Sequence, residues 1–487
     1  MLWMGWAQGA YAVLQILILA ILARLITPDE FGVMSAALVI ITFSKIFYQL
    51  GLGPAIVQRP RLEERHLRTA FSASVVFGLT LGVLVWLAAP LVASFFRMAE
   101  LEPVLRVLSG IFPLLGLGLV SASQMERDLR FRWLANRDVL TFAFGYGVVG
   151  VLAARAGLGV WALVCAHFGH TILSLAALLI VRPPRGVGFE WRAFKELAYF
   201  GGGHTLARFG NFLAHQGDNI VVGRWLGPQA LGFYGRAYQL MATPASLFAG
   251  VLDKVLFPTM SKVQHDVRRL ASAYTRAIAL VALVTLPAAV FLCVLAPEIV
   301  LIVLGPQWET VVPIVQVFAF GLLFRTSYRI SDSITRATGA VYRRAWRQGV
   351  YAALVITGAW IGHHWGVIGV AFGVFGALAV NFFMMAQLSL HIARIPWNGF
   401  WRAHIPALKL ASVSGVASVV GALAFRSYGA PAIVVLAGSG AITVVWTLLV
   451  AWRQPGSLLG ADGQWMIERL KSLRAGLARR SQQAEVS

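Results

Sequence analysis

The chain has 487 residues, of which 58% are hydrophobic and 13% charged, with a mean hydropathy of +0.74. Soluble domains carry about 25% charged residues, so the composition excludes a water-soluble enzyme or binding module as the whole of this protein. A formal net charge of +21 would suit a nucleic-acid binder, but the position of the basic residues removes that reading once the spans are laid out.

Apolar windows of about 20 residues, the length that crosses a bilayer core, recur from end to end. They predict an all-α polytopic membrane protein with fourteen helices at about 3–25, 31–57, 69–96, 104–125, 138–154, 158–181, 198–222, 229–252, 273–296, 311–337, 345–362, 366–390, 405–425 and 430–452. The opening "MLWMGWAQGAYAVLQILILAILAR" lacks the basic start and small-residue cleavage site of a secretory signal and reads as a retained first span. Helix one carries Gln8 and Gln15, one heptad apart. In the turn "ARLITPDEFG" (23–32), Pro28 suits the first turn of the next helix and Arg24 the last turn of the preceding one. Helix two places Thr42, Lys45 and Gln49 close together. Cys165 and Cys293 sit within apolar runs and read as packing residues.

Helix seven, "FGGGHTLARFGNFLAHQGDNIVVGRW", sets His204, Arg208, Asn211, His215 and Asp218 at offsets 0, 4, 7, 11 and 14, one helical face. Helix eight contributes Arg236, Gln239, Thr243 and Ser246. Helix ten sets Arg325, Arg329, Asp332 and Arg336 at offsets 0, 4, 7 and 11. Lys409, near the inner end of helix thirteen, is placed to snorkel. The tail "WMIERLKSLRAGLARR" puts Met466, Leu470, Leu473 and Leu477 on one face among basic residues, either a helix on an anionic leaflet or a solvated tail.

Of the 41 Lys and Arg residues, 29 fall in the loops beginning at Arg59, Arg127, Arg182, Lys254, Arg336 and Arg394 and in the tail; six fall in the alternating loops. This positive-inside bias predicts both termini in the cytoplasm. The charge therefore has a topological cause, and no nucleic-acid partner is expected. The loops are too short for a catalytic or nucleotide-binding domain. His363–His364 and Asp29–Glu30 are adjacent pairs without a partner at ligand or acid–base spacing. No catalytic residue, metal site or cofactor is expected, and the chain reads as a transporter rather than an enzyme.

The turn at 23–32 recurs in "GRWLGPQALG" (223–232), which aligns Arg24 with Arg224, Pro28 with Pro228 and Gly32 with Gly232. "AAPLV" at 88–92 returns as "LAPEIV" at 295–300, and "GLGVWAL" at 157–163 resembles "WGVIGVAF" at 365–372. Three matches in one order indicate duplication. The predicted organisation is an N-lobe at 1–181 (helices one to six), a cytoplasmic linker at 182–197 and a C-lobe at 198–391 (helices seven to twelve). Helices thirteen and fourteen at 405–452 and a tail at 453–487 follow. Six helices per half make the repeats parallel, pseudo-symmetric about the membrane normal, with a central cavity expected between them. Arg24 and Arg224 mark the paired hairpins and are gate candidates.

An ionisable group at a helix centre costs about 2.5–3.5 kcal/mol on insertion scales, so such groups face a bundle interior or a wet cavity. The alternatives are buried structural hydrogen bonding for helix seven and an early end for helix ten. Lys45, Arg208, Arg236 and Arg325 outnumber Asp218 and the shallower Asp332. Surplus positive charge suits an anion, and arginine pairs bidentately with phosphate; Tyr48, Tyr234 and Tyr238 suit a sugar-bearing ligand. The expected substrate-binding set is Lys45, His204, Arg208, Asn211, His215, Arg236, Arg325 and Arg329.

The stretches "LARLITPDEFGVMSAALVIITFSKIFYQLGLGPAIVQRP", "DNIVVGRWLGPQALGFYGRAYQL", "VLFPTMSKVQ" and "LGPQW" resemble the bacterial polysaccharide transporter family. Its members are lipid-linked oligosaccharide flippases of O-antigen and exopolysaccharide pathways, within the multidrug/oligosaccharidyl-lipid/polysaccharide exporter superfamily. The resemblance covers helices one to about twelve. It implies two six-helix lobes plus two helices, alternating access, and a cargo of glycan on undecaprenyl pyrophosphate moved between leaflets of the bacterial inner membrane. It also implies proton or sodium antiport, and pathway partners such as a polysaccharide polymerase and glycosyltransferases. Relatives often carry an acid before the "LGLG" run where this chain has Gln49, which leaves Asp218 as the ion-coupling candidate. Competing readings are a multidrug antiporter, which should show acidic cavity groups, a glycan polymerase or ligase, which should need a large outward loop, and a peptidoglycan-precursor flippase.

Overall fold

The structure is a computed structural model. It describes the backbone of residues 2–48, 51–184, 186–460 and 462–465, and the side chains of these except 2–8, 48, 199–209 and 244–255. Gln49, the side chains of Gln8, Tyr48, His204, Arg208 and Ser246, and the tail face from Met466 to Leu477 therefore lie outside the described residues.

Among the described residues the chain is helical, without strands. In chain order the helices are α1 (Leu2–Leu25), α2 (Pro28–Tyr48), α3 (Leu52–Gln58), α4 (Glu64–Phe96), α5 (Leu101–Leu108), α6 (Ile111–Arg127), α7 (Phe131–Phe142), α8 (Val151–Arg155), α9 (Val160–Val181), α10 (Trp191–Lys262) and α11 (Val267–Val294). They continue as α12 (Ala296–Val303), α13 (Val312–Phe320), α14 (Leu322–Ala337), α15 (Val341–Gly362), α16 (Gly366–Ala393), α17 (Trp397–Ser427), α18 (Ala432–Arg453) and α19 (Pro455–Leu458). A π-helical segment, Ala143–Gly150, joins α7 to α8.

Among the described residues, ten helical stretches are long and apolar enough to span a membrane, and Gly9–Leu25, the part of α1 whose side chains are described, adds a shorter apolar one. This is a multi-pass membrane protein. The ten are fewer than the fourteen expected from hydropathy. One reason is that Val341–Ala393 counts as a single stretch of 53 residues, although the 3-10 turn His363–Trp365 divides α15 from α16. A second is that α10 comprises two helices joined across a kink at Gly227, and parts of both lie outside the described side chains.

The chain divides into two compact units. The first comprises residues 1–243, 303–314 and 348–377; the second comprises 244–302, 315–347 and 378–487.

In the first unit the two repeated turns meet. Gly32 packs on the carbonyl of Pro228, and Gly232 packs on the carbonyl of Pro28. A side chain at either position would occupy the space of the opposing carbonyl, so glycine is required by the approach of the two backbones. Trp308, fully buried, lies edge-on to Phe31 at 5.5 Å and to Phe233 at 5.9 Å. Its indole N–H donates to the Ala23 carbonyl at 2.7 Å, one of the free carbonyls in the last turn of α1.

On the side of the basic loops, Arg127 donates to the carbonyls of Ile56, Arg59 and Pro60. Buried His66 and half-buried Arg59 both bond the Glu196 carboxylate. Glu196 sits in the first turns of α10, so these contacts fasten that helix to the α3–α4 loop.

The second unit has its own core, in which Leu270, Tyr274 and Ile278 of α11 pack with Ile330 and Ile334 of α14, Phe382 and Ala386 of α16, and Phe400 of α17. Tyr274 satisfies its hydroxyl on Ser331 at 2.9 Å, as a buried phenol must. Glu298, 6% exposed, takes a two-pronged hydrogen bond from Arg426 at 2.7 and 2.8 Å.

Candidate functional site

Lys45 lies three residues from the end of α2, half-buried, and lines a cavity of about 360 Å³ in the first unit. Arg137 of α7 and His167, His170, Thr171 and Ser174 of α9 share that lining, with leucines of α6 as the apolar wall. The volume falls in the range of small-ligand pockets, about 300–1,000 Å³.

The π-helical segment builds one side of the site. Its Gly145 lies against the backbone of His170, so the two helices approach at van der Waals contact. The next residue, Tyr146, shares a 2.8 Å hydrogen bond with His167 Nδ1 and stacks on Phe142 at 4.8 Å. A π segment rotates later side chains relative to an α-helix and is frequent at functional sites. Here it aims Tyr146 at α9.

The charges in this region are mostly positive. Lys45 acts electrostatically on His167 and His170. Arg137 is paired with its neighbour Asp138 at 2.6 Å, whereas Lys45 has no carboxylate partner among the described residues. Arg236 of α10 is within electrostatic reach of Tyr146. Its guanidinium lies 4.6 Å over the Phe31 ring, and its Nε is buried without a hydrogen-bond partner. His170 Nδ1 is likewise buried and unpartnered. The unpartnered Arg236 Nε–H is a donor that fits an anion, and an arginine fork fits phosphate oxygens.

The other expected site residues are distributed as follows. Asn211 is exposed, His215 half-buried, and Asp218 3% exposed. The Asp218 carboxylate accepts the Tyr234 hydroxyl at 2.7 Å and the Asn219 N–H at 2.9 Å. Tyr234, read as a sugar-facing aromatic, is thus a fully buried partner of Asp218. Arg24 is exposed at the end of α1, and Arg224 stacks between Phe95 and Trp225 at 5.6 and 5.8 Å. Arg325 and Arg329 belong to the second unit, half-buried on α14, where Asp332 pairs with Arg336 at 3.1 Å and with Arg344. His204 and Arg208 lie outside the described side chains.

His167, His170, Arg137 and Tyr146 are absent from the expected set. Two histidines at i and i+3 in the apolar run "ALVCAHFGHTIL" were a legible signal, of the same kind that singled out Lys45. Nothing in the sequence marks the π segment that delivers Tyr146.

Residues 21–313 match the polysaccharide biosynthesis protein family. The chain is 25% identical to the teichuronic acid biosynthesis protein TuaB of Bacillus subtilis (strain 168) over 95% of this chain and 97% of that protein. It is 26% identical to the lipopolysaccharide biosynthesis protein WzxC of Escherichia coli (strain K12) over 63% of each. Its fold is similar to that of the lipid II flippase MurJ in an inward closed conformation, with a TM-score of 0.75, 15% identity, and coverage of 92% of this chain and 98% of that one. A multidrug-resistance MATE transporter in its inward-facing conformation gives a TM-score of 0.64 at 16% identity, covering 80% and 96%. By the match over residues 21–313, this chain is a member of the polysaccharide biosynthesis protein family.

Proposed function

We propose that the protein is a flippase that moves undecaprenyl-pyrophosphate-linked oligosaccharide from the inner to the outer leaflet of the bacterial cytoplasmic membrane for surface polysaccharide biosynthesis. One observation carries the reading: Lys45 and Arg236 are cations on apolar spans with no carboxylate partner among the described residues. Cations so placed are costly unless they meet an anion. Pyrophosphate is such an anion, and the family and its named relatives belong to glycan assembly.

In this reading Lys45 and Arg236 receive the pyrophosphate, with Arg208, Arg325, Arg329, His204, Asn211 and His215 assigned to the same substrate path. The lobes at 1–181 and 198–391 alternate access, and Arg24 and Arg224 mark the gate hairpins. Asp218, through its bond to Tyr234, is the candidate for coupling to a proton or sodium gradient. Both termini face the cytoplasm, and a polymerase and glycosyltransferases act on the same lipid-linked glycan.

The test is translocation in proteoliposomes carrying labelled lipid-linked oligosaccharide. Wild type should expose the label on the opposite leaflet, faster with an imposed ion gradient, and Arg236→Ala should slow it at least tenfold at unchanged protein yield. Equal rates for the variant and wild type would refute the site. The fold likeness to MurJ makes lipid II a second candidate cargo; inhibition of oligosaccharide transport by lipid II, with lipid II itself moved, would favour it. A multidrug antiporter fits poorly, because cationic drugs need acidic groups in the site.

A further inference from the structure

A second cationic pocket lies in the second unit, where α16 passes into α17. Helix α16 stops at Ala393 because Arg394 adopts a left-handed conformation, φ 54°, and the Ile395 N–H turns back to the Leu390 carbonyl at 2.9 Å. Pro396, extended, then precedes α17, which starts at Trp397. This turn places Arg394 and Trp397 beside His391, and Arg343 arrives from the first turn of α15. With Gln387, these residues line a cavity of about 760 Å³ floored by buried Leu390.

The pocket's two arginines are exposed, and neither has a carboxylate partner among the described residues. The acid on α14, Asp332, is already engaged by Arg336 and Arg344. Two guanidinium forks and an imidazole around one void form a donor set for a phosphate.

The surroundings indicate what carries that phosphate. Trp346, Trp397, Trp401 and Tyr342 are exposed around the helix ends, the aromatic signature of a membrane–water interface. Beyond them the apolar side chains Phe383 of α16 and Ile405 and Leu408 of α17 are exposed. A ligand phosphate in the pocket would thus have an apolar surface alongside for acyl chains. We propose that this pocket binds the headgroup phosphate of an anionic membrane phospholipid. The site is separate from the Lys45 cavity, and the inference does not depend on what the protein transports.

Native mass spectrometry of the full-length protein with added phosphatidylglycerol tests it. Wild type should retain the lipid, and Arg343→Gln with Arg394→Gln together should lower the retained fraction at least fivefold. Arg343→Gln alone, an exposed helical change that leaves folding intact, should lower it at least twofold. Arg402→Gln removes the same charge from α17 outside the pocket and should leave retention unchanged. Equal loss in Arg402→Gln would mean diffuse surface charge and overturn the site. Displacement of the lipid by millimolar inorganic phosphate or pyrophosphate would identify a soluble anion as the ligand and overturn the lipid assignment. Unchanged retention in the Arg343 variants would overturn both.

Discussion

Gly32 rests on the backbone carbonyl of Pro228, and Gly232 rests in the same manner on that of Pro28. Each turn supplies the glycine that admits the other's proline carbonyl, the reciprocal pattern that two-fold related surfaces make. The contact lies within one compact unit, so the likeness of two turns 200 residues apart in sequence coincides with their pairing in space.

This contact predicts a sharp contrast among glycines. Gly32→Ala or Gly232→Ala forces a Cβ into a carbonyl and should destabilise by about 1–3 kcal/mol or more. Gly235→Ala meets only Ser35 Oγ, at 3.4 Å, and should be neutral or stabilising, since alanine favours a helix by about 1 kcal/mol over glycine. Thermal melting of the purified variants in detergent checks the order. Similar melting of all three would remove the packing argument.

Trp308 fills the space between Phe31 and Phe233 and bonds the end of α1. Trp308→Ala should cost about 3–5 kcal/mol. Trp308→Phe keeps most of the ring volume but loses the donor to Ala23, and should cost about 1–2 kcal/mol. A phenylalanine variant as unstable as the alanine variant would show that volume is not the main term.

The Glu298–Arg426 pair ties α12 to the end of α17. Removing one partner leaves the other unpaired, so Arg426→Ala should destabilise by about 3 kcal/mol. The double variant with Glu298→Ala should lose less than the sum of the two single losses. Additive losses in a double-mutant cycle would show that the two groups do not interact.

His66 first, and then Arg59, hold the Glu196 carboxyl below the usual carboxylate range. A carboxyl with a lowered folded pKa contributes stability above its unfolded value, about 4.3, and loses that contribution as pH falls through the folded value. The anchoring of α10 should therefore persist at neutral pH and weaken below about pH 4. Glu196→Gln should flatten that acid limb of the melting curve. An acid limb identical to that of wild type would rule Glu196 out as its source.

At the proposed transport site, Arg236→Lys keeps the charge but not the planar stack on Phe31, and lysine does not substitute for a bidentate phosphate donor. Transport should fall about tenfold, an order of magnitude matching one lost charged hydrogen bond of about 1.5 kcal/mol. Arg236→Ala should fall further, and full activity in the lysine variant would mean that charge alone suffices.

Much of this protein was legible in the sequence because a bilayer solvent allows few solutions. Backbone polar groups must be satisfied within each span, so hydropathy and length reveal membrane helices directly. The cost of an ionisable group in such a span singled out Lys45 and Arg236, and the repeated glycine and proline positions identified the two turns. Only tertiary structure decided which groups answer one another. Asp218 is paired with Tyr234, 16 residues away, and Lys45 shares a cavity with His167 and His170 of another helix. Tyr146 reaches His167 through a π segment with no sequence mark. Periodicity defines the face of one helix, but which side chains meet depends on how helices pack and rotate against each other, and contacts far apart in the chain set that.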